Sequence, residues 1–314
     1  MTVYPVAASA VIPARACVCG CWDRPRRYPS DMTDAEWVIT ELLLPVPAFL
    51  TPSGGRPEMH HRRAIVDAIR YVVKYGIEWR ALPVDYPPWR TVYGFFERWA
   101  ARLLPAEMID DLRRRLRVQQ DRKPEPTAAI IDAQPVKCAD TVGAATSGYD
   151  AGKKIKGRKR HIAVDVEGWL LAIWVTAASV QDRDGAKPLL RILNEAFTSI
   201  SLVWADGGYA GKLVGWAKNM LTITVQIVKR TDDMKGFVVL PRRWVVERTF
   251  GWIMRHRRCV RDYERRIEHH EAMVQWAMIT IMTRRLARYT TGTPAPERWG
   301  GPRARPTQQD QQAT

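Results

Sequence analysis

A chain of 314 residues, 46% of them hydrophobic, is long enough for one large or two modest domains, each with its own core. Its 49 basic and 33 acidic residues leave a formal charge of +16. That balance favours a polyanionic partner, and nucleic acid over a bilayer, because no apolar run reaches the roughly 20 residues of a membrane span. Five cysteines, three of them crowded into CVCGC at Cys17, Cys19 and Cys21, form neither a disulfide framework nor a four-ligand zinc spacing, which points to a reducing compartment.

Residues 1–27 read as a disordered extension. Their weak apolar run lacks a basic start and is broken by Pro5 and Pro13. Thr33 to Glu36 has the form of a capping box ahead of Trp37, Ile39, Leu42 and Leu43 at helical spacing. His60 to Tyr75 predicts a second helix, stopped by Gly76. Thr91 opens a third, TVYGFFERWAARL, and Pro105 a fourth. Residues 28–120 therefore predict a small all-α domain, and Lys123 to Pro126 (KPEP) falls in a linker at 121–126.

The pattern then changes. TAAIIDA predicts a buried strand, and RHIAVDV and WLLAIWVTA predict two more joined at Glu167-Gly168. Asp184 to Phe197 predicts a helix, ISLVWAD a strand entering the glycine turn GGYAG, and ITVQIVK a further strand after a helix. Arg242 to Cys259 and Ile267 to Leu286 predict two last helices, and residues 291–314 a disordered tail. The order predicts an α/β domain over 127–290, a mixed sheet flanked by helices.

Two predicted strands run into an aspartate, Asp132 in IIDA and Asp206 in WADGG. Either alone is explained by capping of the next turn. If both strands are central and parallel, both acids project from one sheet edge, where ligands are commonly bound. Glu247, in PRRWVVERTF, is a lone acid in a basic, aromatic segment. On a helix it pairs with Arg243 four residues earlier, or it completes a three-carboxylate set. Such a set repels itself without a hard cation, and two magnesium ions, with manganese as substitute, suit oxygen ligands and phosphodiester chemistry.

Together IIDAQPVK, WADGGYAG and RRWVVERTFGW resemble the acid motifs of bacterial insertion-sequence transposases, in the insertion-sequence family five branch of the DDE class. KGRKRHIAVDVEG, VKRTDDMKGFVVLPRRW, RHRRCVRDYE, YPSDMTDAEW and PPWRTVYGFFERW extend the resemblance over roughly residues 28–288, in order. It implies an RNase H-like catalytic domain after a helix-turn-helix-like region. It also implies Asp132, Asp206 and Glu247 as catalytic metal ligands for cleavage at transposon ends, followed by transfer of the 3′-hydroxyl to target DNA. Arg243 matches the arginine placed four before the acid. Met254 stands where related families carry Lys or Arg, and Leu240 where they carry Tyr.

The expected partner is double-stranded DNA, as terminal inverted repeats and target. The protein is expected to act as a homodimer that pairs two ends in the bacterial cytoplasm, at the nucleoid and with no membrane association. Expected DNA contacts are the basic run Lys153, Lys154, Lys156, Arg158, Lys159 and Arg160, then Arg243, Arg248, Arg255 and Arg258 around the glutamate helix, and Arg90 and Arg98 on a recognition helix. A solvated loop explains the basic run equally well in isolation. Asp165 is expected to face solvent from mid-strand. Two other classes remain open at this point, a non-catalytic DNA-binding protein and a metal-dependent nuclease without strand transfer.

Overall fold

The computed structural model describes residues 24–52, 54–228 and 243–292. CVCGC, Leu240, the Asp232–Asp233 turn and the Pro- and Gln-rich tail lie outside them. Four helices come first: α1 (Asp34–Glu41), α2 (Arg62–Tyr75), α3 (Trp89–Ala101) and α4 (Leu104–Val118). Thr33 caps α1 by accepting from the Glu36 amide. The reciprocal half of the predicted capping box does not form, because the Glu36 carboxylate is drawn to buried Arg70 of α2. Gly76 ends α2 in the left-handed region at φ 70°, where a Cβ would press on Arg257. α3 begins at Trp89, two residues before Thr91, on a Pro88 N-cap.

The sheet follows: β1 (Ala128–Lys137), β2 (Gly148–Asp150), β3 (Ile155–Val164), β4 (Leu170–Ala177), β5 (Leu202–Ala205) and β6 (Thr224–Ile227). β1 is antiparallel to β3 and parallel to β5, β3 is antiparallel to β2 and β4, and β5 is parallel to β6. This mixed sheet flanked by helices is the RNase H-like α/β arrangement expected. β1 runs four residues past the predicted end, through Pro135. Proline is tolerated there because β1 is paired only with β3 beyond Ile130.

Helices α5 (Asp182–Ala196) and α6 (Lys212–Leu221) cover one sheet face, and α7 (Arg243–Met254) and α8 (Ile267–Thr291) the other. Strand alternation sorts the side chains: Ala129, Ile131, Val203 and Ala205 join the core under α5 and α6, while Ile130, Trp204 and Ile162 join the core under α7 and α8. That second core also takes in α1 to α4, with α8 packed against all four of them and against β4. The turn between α4 and β1 coincides with the linker at 121–126, but the packing does not divide there. The N-terminal boundary shifts as well: Arg24 forms ion pairs with Asp31 and Asp85 and belongs to the folded body. Among the described residues, no helix is long and apolar enough to cross a membrane.

Candidate active site

The parallel ladder between β1 and β5 ends at the pair Ile130–Trp204. Asp132 and Asp206 each lie two residues further on, so the register sets them side by side, on the face shared by Ile130 and Trp204. Helix α7 crosses that same face. Its buried Val245, Val246, Phe250 and Ile253 anchor it, at roughly 1.5–3 kcal/mol for each fully buried side chain. This leaves Glu247 on the outer side, 54% exposed. Gly251, one turn on, has open space above it.

The acids are linked through Arg243. Its guanidinium lies 3.4 Å from the Glu247 carboxylate and 3.9 Å from that of Asp206. The helical pair expected from the four-residue spacing is therefore present, and it forms part of the acid cluster. Asp206 also accepts from the Gly208 amide at 2.8 Å and caps the 3-10 turn Gly207–Tyr209. Asp132 accepts from the Ala133 amide at 2.8 Å. Burial, with the Asp206 charge adding to it, raises the Asp132 carboxyl to about 7. Tyr209, fully buried beneath the turn, has its hydroxyl pushed well above the usual tyrosine range by burial and by Asp132, Asp182 and Asp206. It is a site residue missed in the sequence, although WADGGY contains it.

Among the described residues, no three Asp, Glu, His or Cys side chains converge as a closed metal cage. The donor set nevertheless suits a hard cation. It offers carboxylate oxygens alone, and the raised Asp132 carboxyl marks uncompensated negative charge.

The expected DNA contacts divide sharply. Lys153, Lys154 and Lys156 are exposed ahead of and at the start of β3, and Arg90, Arg98 and Arg255 are exposed on α3 and after α7. Arg158, Lys159 and Arg160 correct the expectation: they are not loop residues but lie inside β3, buried. Arg158 pairs with Asp262 at 2.9 Å and donates to the Glu264 and Arg265 carbonyls. Lys159 is held by Asp150 and Asp182. Arg160 donates to Gln134, the Cys259 carbonyl and the Met254 sulfur. Met254, at the position related families fill with Lys or Arg, thus packs against a buried arginine.

Arg258 is a further correction. The helix ends at Met254, and Arg258 turns inward to Glu264 at 2.7 Å and the Ile77 carbonyl. Arg248 is likewise engaged, donating to the Glu167 carbonyl at 2.7 Å and lying over the Trp244 and Trp252 rings. Asp165 does not face solvent. It is fully buried, accepts from the Glu167 and Trp169 amides and pairs with Arg117 at 2.6 Å, which makes it a turn anchor.

Comparison with known proteins agrees with this geometry. The family model described as "Transposase DDE domain" matches residues 123–283, just over half of the chain. One described as "Putative transposase of IS4/5 family" matches residues 32–108. The "Putative transposase for insertion sequence element IS402" of Burkholderia cepacia is 31% identical over 139 residues, 42% of this chain. The match spans 65% of that relative's length. The DDE match takes in the sheet, α7 and most of α8, and with them Asp132, Asp206 and Glu247, so the chain belongs to the transposase DDE-domain family.

Proposed function

We propose that this protein is a transposase that cleaves phosphodiester bonds at the ends of an insertion sequence and joins the freed 3′-hydroxyls to target DNA. The observation that carries the reading is the register of β1 and β5, which aligns Asp132 with Asp206 on the face that α7 crosses with Glu247. The family is metal-dependent. Asp132, Asp206 and Glu247 would hold two magnesium ions, or manganese in their place. When bound, the ions activate the attacking oxygen and stabilise the leaving one.

The chain's own groups prepare that chemistry. Asp132 holds its proton up to about pH 7 and releases it to accept a cation. The Gly208 amide fixes one oxygen of Asp206. Arg243 screens Asp206 from Glu247, and its guanidinium is placed to turn to a DNA phosphate when a cation takes over that screening. Exposed Lys153, Lys154, Lys156 and Arg255 meet the duplex backbone, while Arg90 and Arg98 on α3 meet the terminal inverted repeats. Two protomers pair two DNA ends in the bacterial cytoplasm, at the nucleoid.

The test uses full-length protein, magnesium and a labelled duplex bearing the element's ends, run beside Glu247→Gln. The expected result is cleavage and strand joining by the natural chain, with binding but no cleavage by the variant. Equal cleavage by both rejects the three-acid site. Cleavage without joining reduces the activity to that of a nuclease, and binding without cleavage by either chain reduces it to a DNA-binding protein.

A further inference from the structure

A cavity of about 340 Å³ opens where the C-terminal ends of α2 and α7 meet the last turns of α8. Five of its lining side chains are cations: Lys74, Arg255, Arg284, Arg285 and Arg288. No carboxylate lines it. Ile281, Arg284, Arg285 and Arg288 share one face of α8 by their three- and four-residue spacing. Among the described residues, Arg255, Arg285 and Arg288 have no ion-pair partner, and the Arg284 guanidinium stands 3.9 Å from Glu36. Lys74 donates to the Arg255 carbonyl at 3.2 Å.

Like charges gathered in a recess repel unless an anion joins them. The cavity wall carries the mark of that repulsion: burial and then Arg284, Arg255 and Arg257 push the Lys74 ammonium below its ordinary value. Trp169, fully buried and part of the lining, has an indole N–H without a protein acceptor. The cavity thus presents several N–H donors, positive charge and little competing acceptor.

Its position indicates which anion. Arg255 follows Glu247 by eight residues, about 12 Å at the helical rise. A ring-and-guanidinium ladder covers that interval: Arg248 over Trp244 and Trp252, Trp252 beside Trp169 at 5.6 Å, and Arg285 over Trp169 at 5.2 Å. At about 3.4 Å per nucleotide along a strand's axis, the interval is three or four nucleotides.

We propose that this cavity seats a backbone phosphate of the bound DNA, three or four nucleotides from the phosphate at Glu247. The proposal rests on the three-acid reading for that distance, but its binding test does not depend on cleavage. Duplex affinity is measured by fluorescence anisotropy against salt, without divalent cation, for the full chain and for Arg255→Gln/Arg285→Gln/Arg288→Gln. A control, Lys187→Gln/Arg191→Gln/Lys218→Gln, removes the same charge from α5 and α6 on the opposite sheet face. The cavity variant is expected to weaken binding and lower the log–log salt slope by about 2–3, roughly one per lost phosphate contact. The control is expected to move it by well under one, and the Arg→Lys triple to keep most of it.

Equal losses in cavity variant and control would reduce the effect to net charge and overturn the proposal, as would an unchanged slope. Weaker inorganic-phosphate binding with unchanged duplex affinity would assign the cavity to free phosphate and overturn it too. Cleavage by Glu247→Gln alongside a lowered slope would sink the three-acid site and leave the cavity's phosphate role intact.

Discussion

Two clusters of opposed charge lie on this molecule, and they differ in how completely they are satisfied. Around Asp262, everything is buried and paired. Arg158 and His270 flank its carboxylate at 2.9 and 3.1 Å, and the Glu264 amide donates to it at 2.8 Å. Burial alone would raise the Asp262 carboxyl, but His270 and Arg158 outweigh burial and hold it below its usual range. Around Asp132, Asp206 and Glu247, one guanidinium serves two carboxylates from beyond ordinary hydrogen-bond distance, and the third carboxyl is raised. The first cluster is closed and has no capacity left for a ligand. The second is open, with negative charge in excess. Residue type does not separate structure from function here; residual demand for a counter-charge does.

The largest expected effect breaks the open cluster. Asp132→Asn, Asp206→Asn or Glu247→Gln each removes one negative charge with little change of shape. Losing a single group from a catalytic set costs roughly 10⁴-fold or more, so cleavage of labelled transposon ends should fall by that order. Thermal stability should hold, and for Asp132→Asn it should rise, because a buried group under charge strain is neutralised. Retained cleavage in all three would place the chemistry elsewhere.

The closed cluster should show the opposite pattern. Arg158→Met strands the buried Asp262 carboxylate, and breaking a buried pair from one side costs about 3–5 kcal/mol. Denaturant melts should show that loss, while cleavage per folded molecule stays near that of the natural chain. A stable Arg158→Met with weakened DNA binding would return Arg158 to the DNA contacts.

A third prediction uses His256, which lines the cationic cavity. Burial first, then Lys74 and neighbouring arginines, depress its imidazole to about 4. The unfolded chain, with an ordinary histidine near 6.5, binds the proton more readily. His256 therefore costs nothing above about pH 6.5 and destabilises progressively as pH falls toward about 4. The full cost is about 3 kcal/mol at roughly 1.4 kcal/mol per unit. Stability curves of the natural chain and His256→Gln should converge in slope above pH 6.5 and diverge below it. Parallel curves down to pH 4 would mean that water reaches the ring.

Much of this was legible in the sequence, and the gaps have physical reasons. Helix ends were readable where a local residue sets them, as Gly76 does for α2 and Thr33 for α1. The acids were readable because strand ends and a motif flagged them. Arg158 and Arg160 were not, because their partners come from far along the chain: Asp262 is 104 positions beyond Arg158, and no local pattern announces it. β1 was cut short because Pro135 looks like a stop until the loss of its β5 neighbour is known. The cationic cavity was hidden for the same reason, since α2, α7 and α8 meet only in the folded molecule.

The smallest effect probes the hinge of the comparison. Arg243 is a helical pair partner of Glu247, worth a few tenths of a kcal/mol at about one-third exposure. As a structural residue it would matter no more than that, and Arg243→Gln should barely move the melting midpoint. In the open cluster it has a second consequence. It is the counter-charge for two acids, so its removal leaves Asp206 and Glu247 facing each other with no guanidinium between them. Divalent cation, titrated calorimetrically into the apo protein, should then bind more tightly to Arg243→Gln, since it no longer competes with the guanidinium. DNA binding should weaken slightly, because one phosphate-facing charge is gone. Tighter cation binding with near-constant stability would separate the open cluster from the closed one by a single side chain. Unchanged cation affinity would mean that Arg243 already stands clear of the metal positions, and that Glu247 meets its cation from the far side of the helical pair.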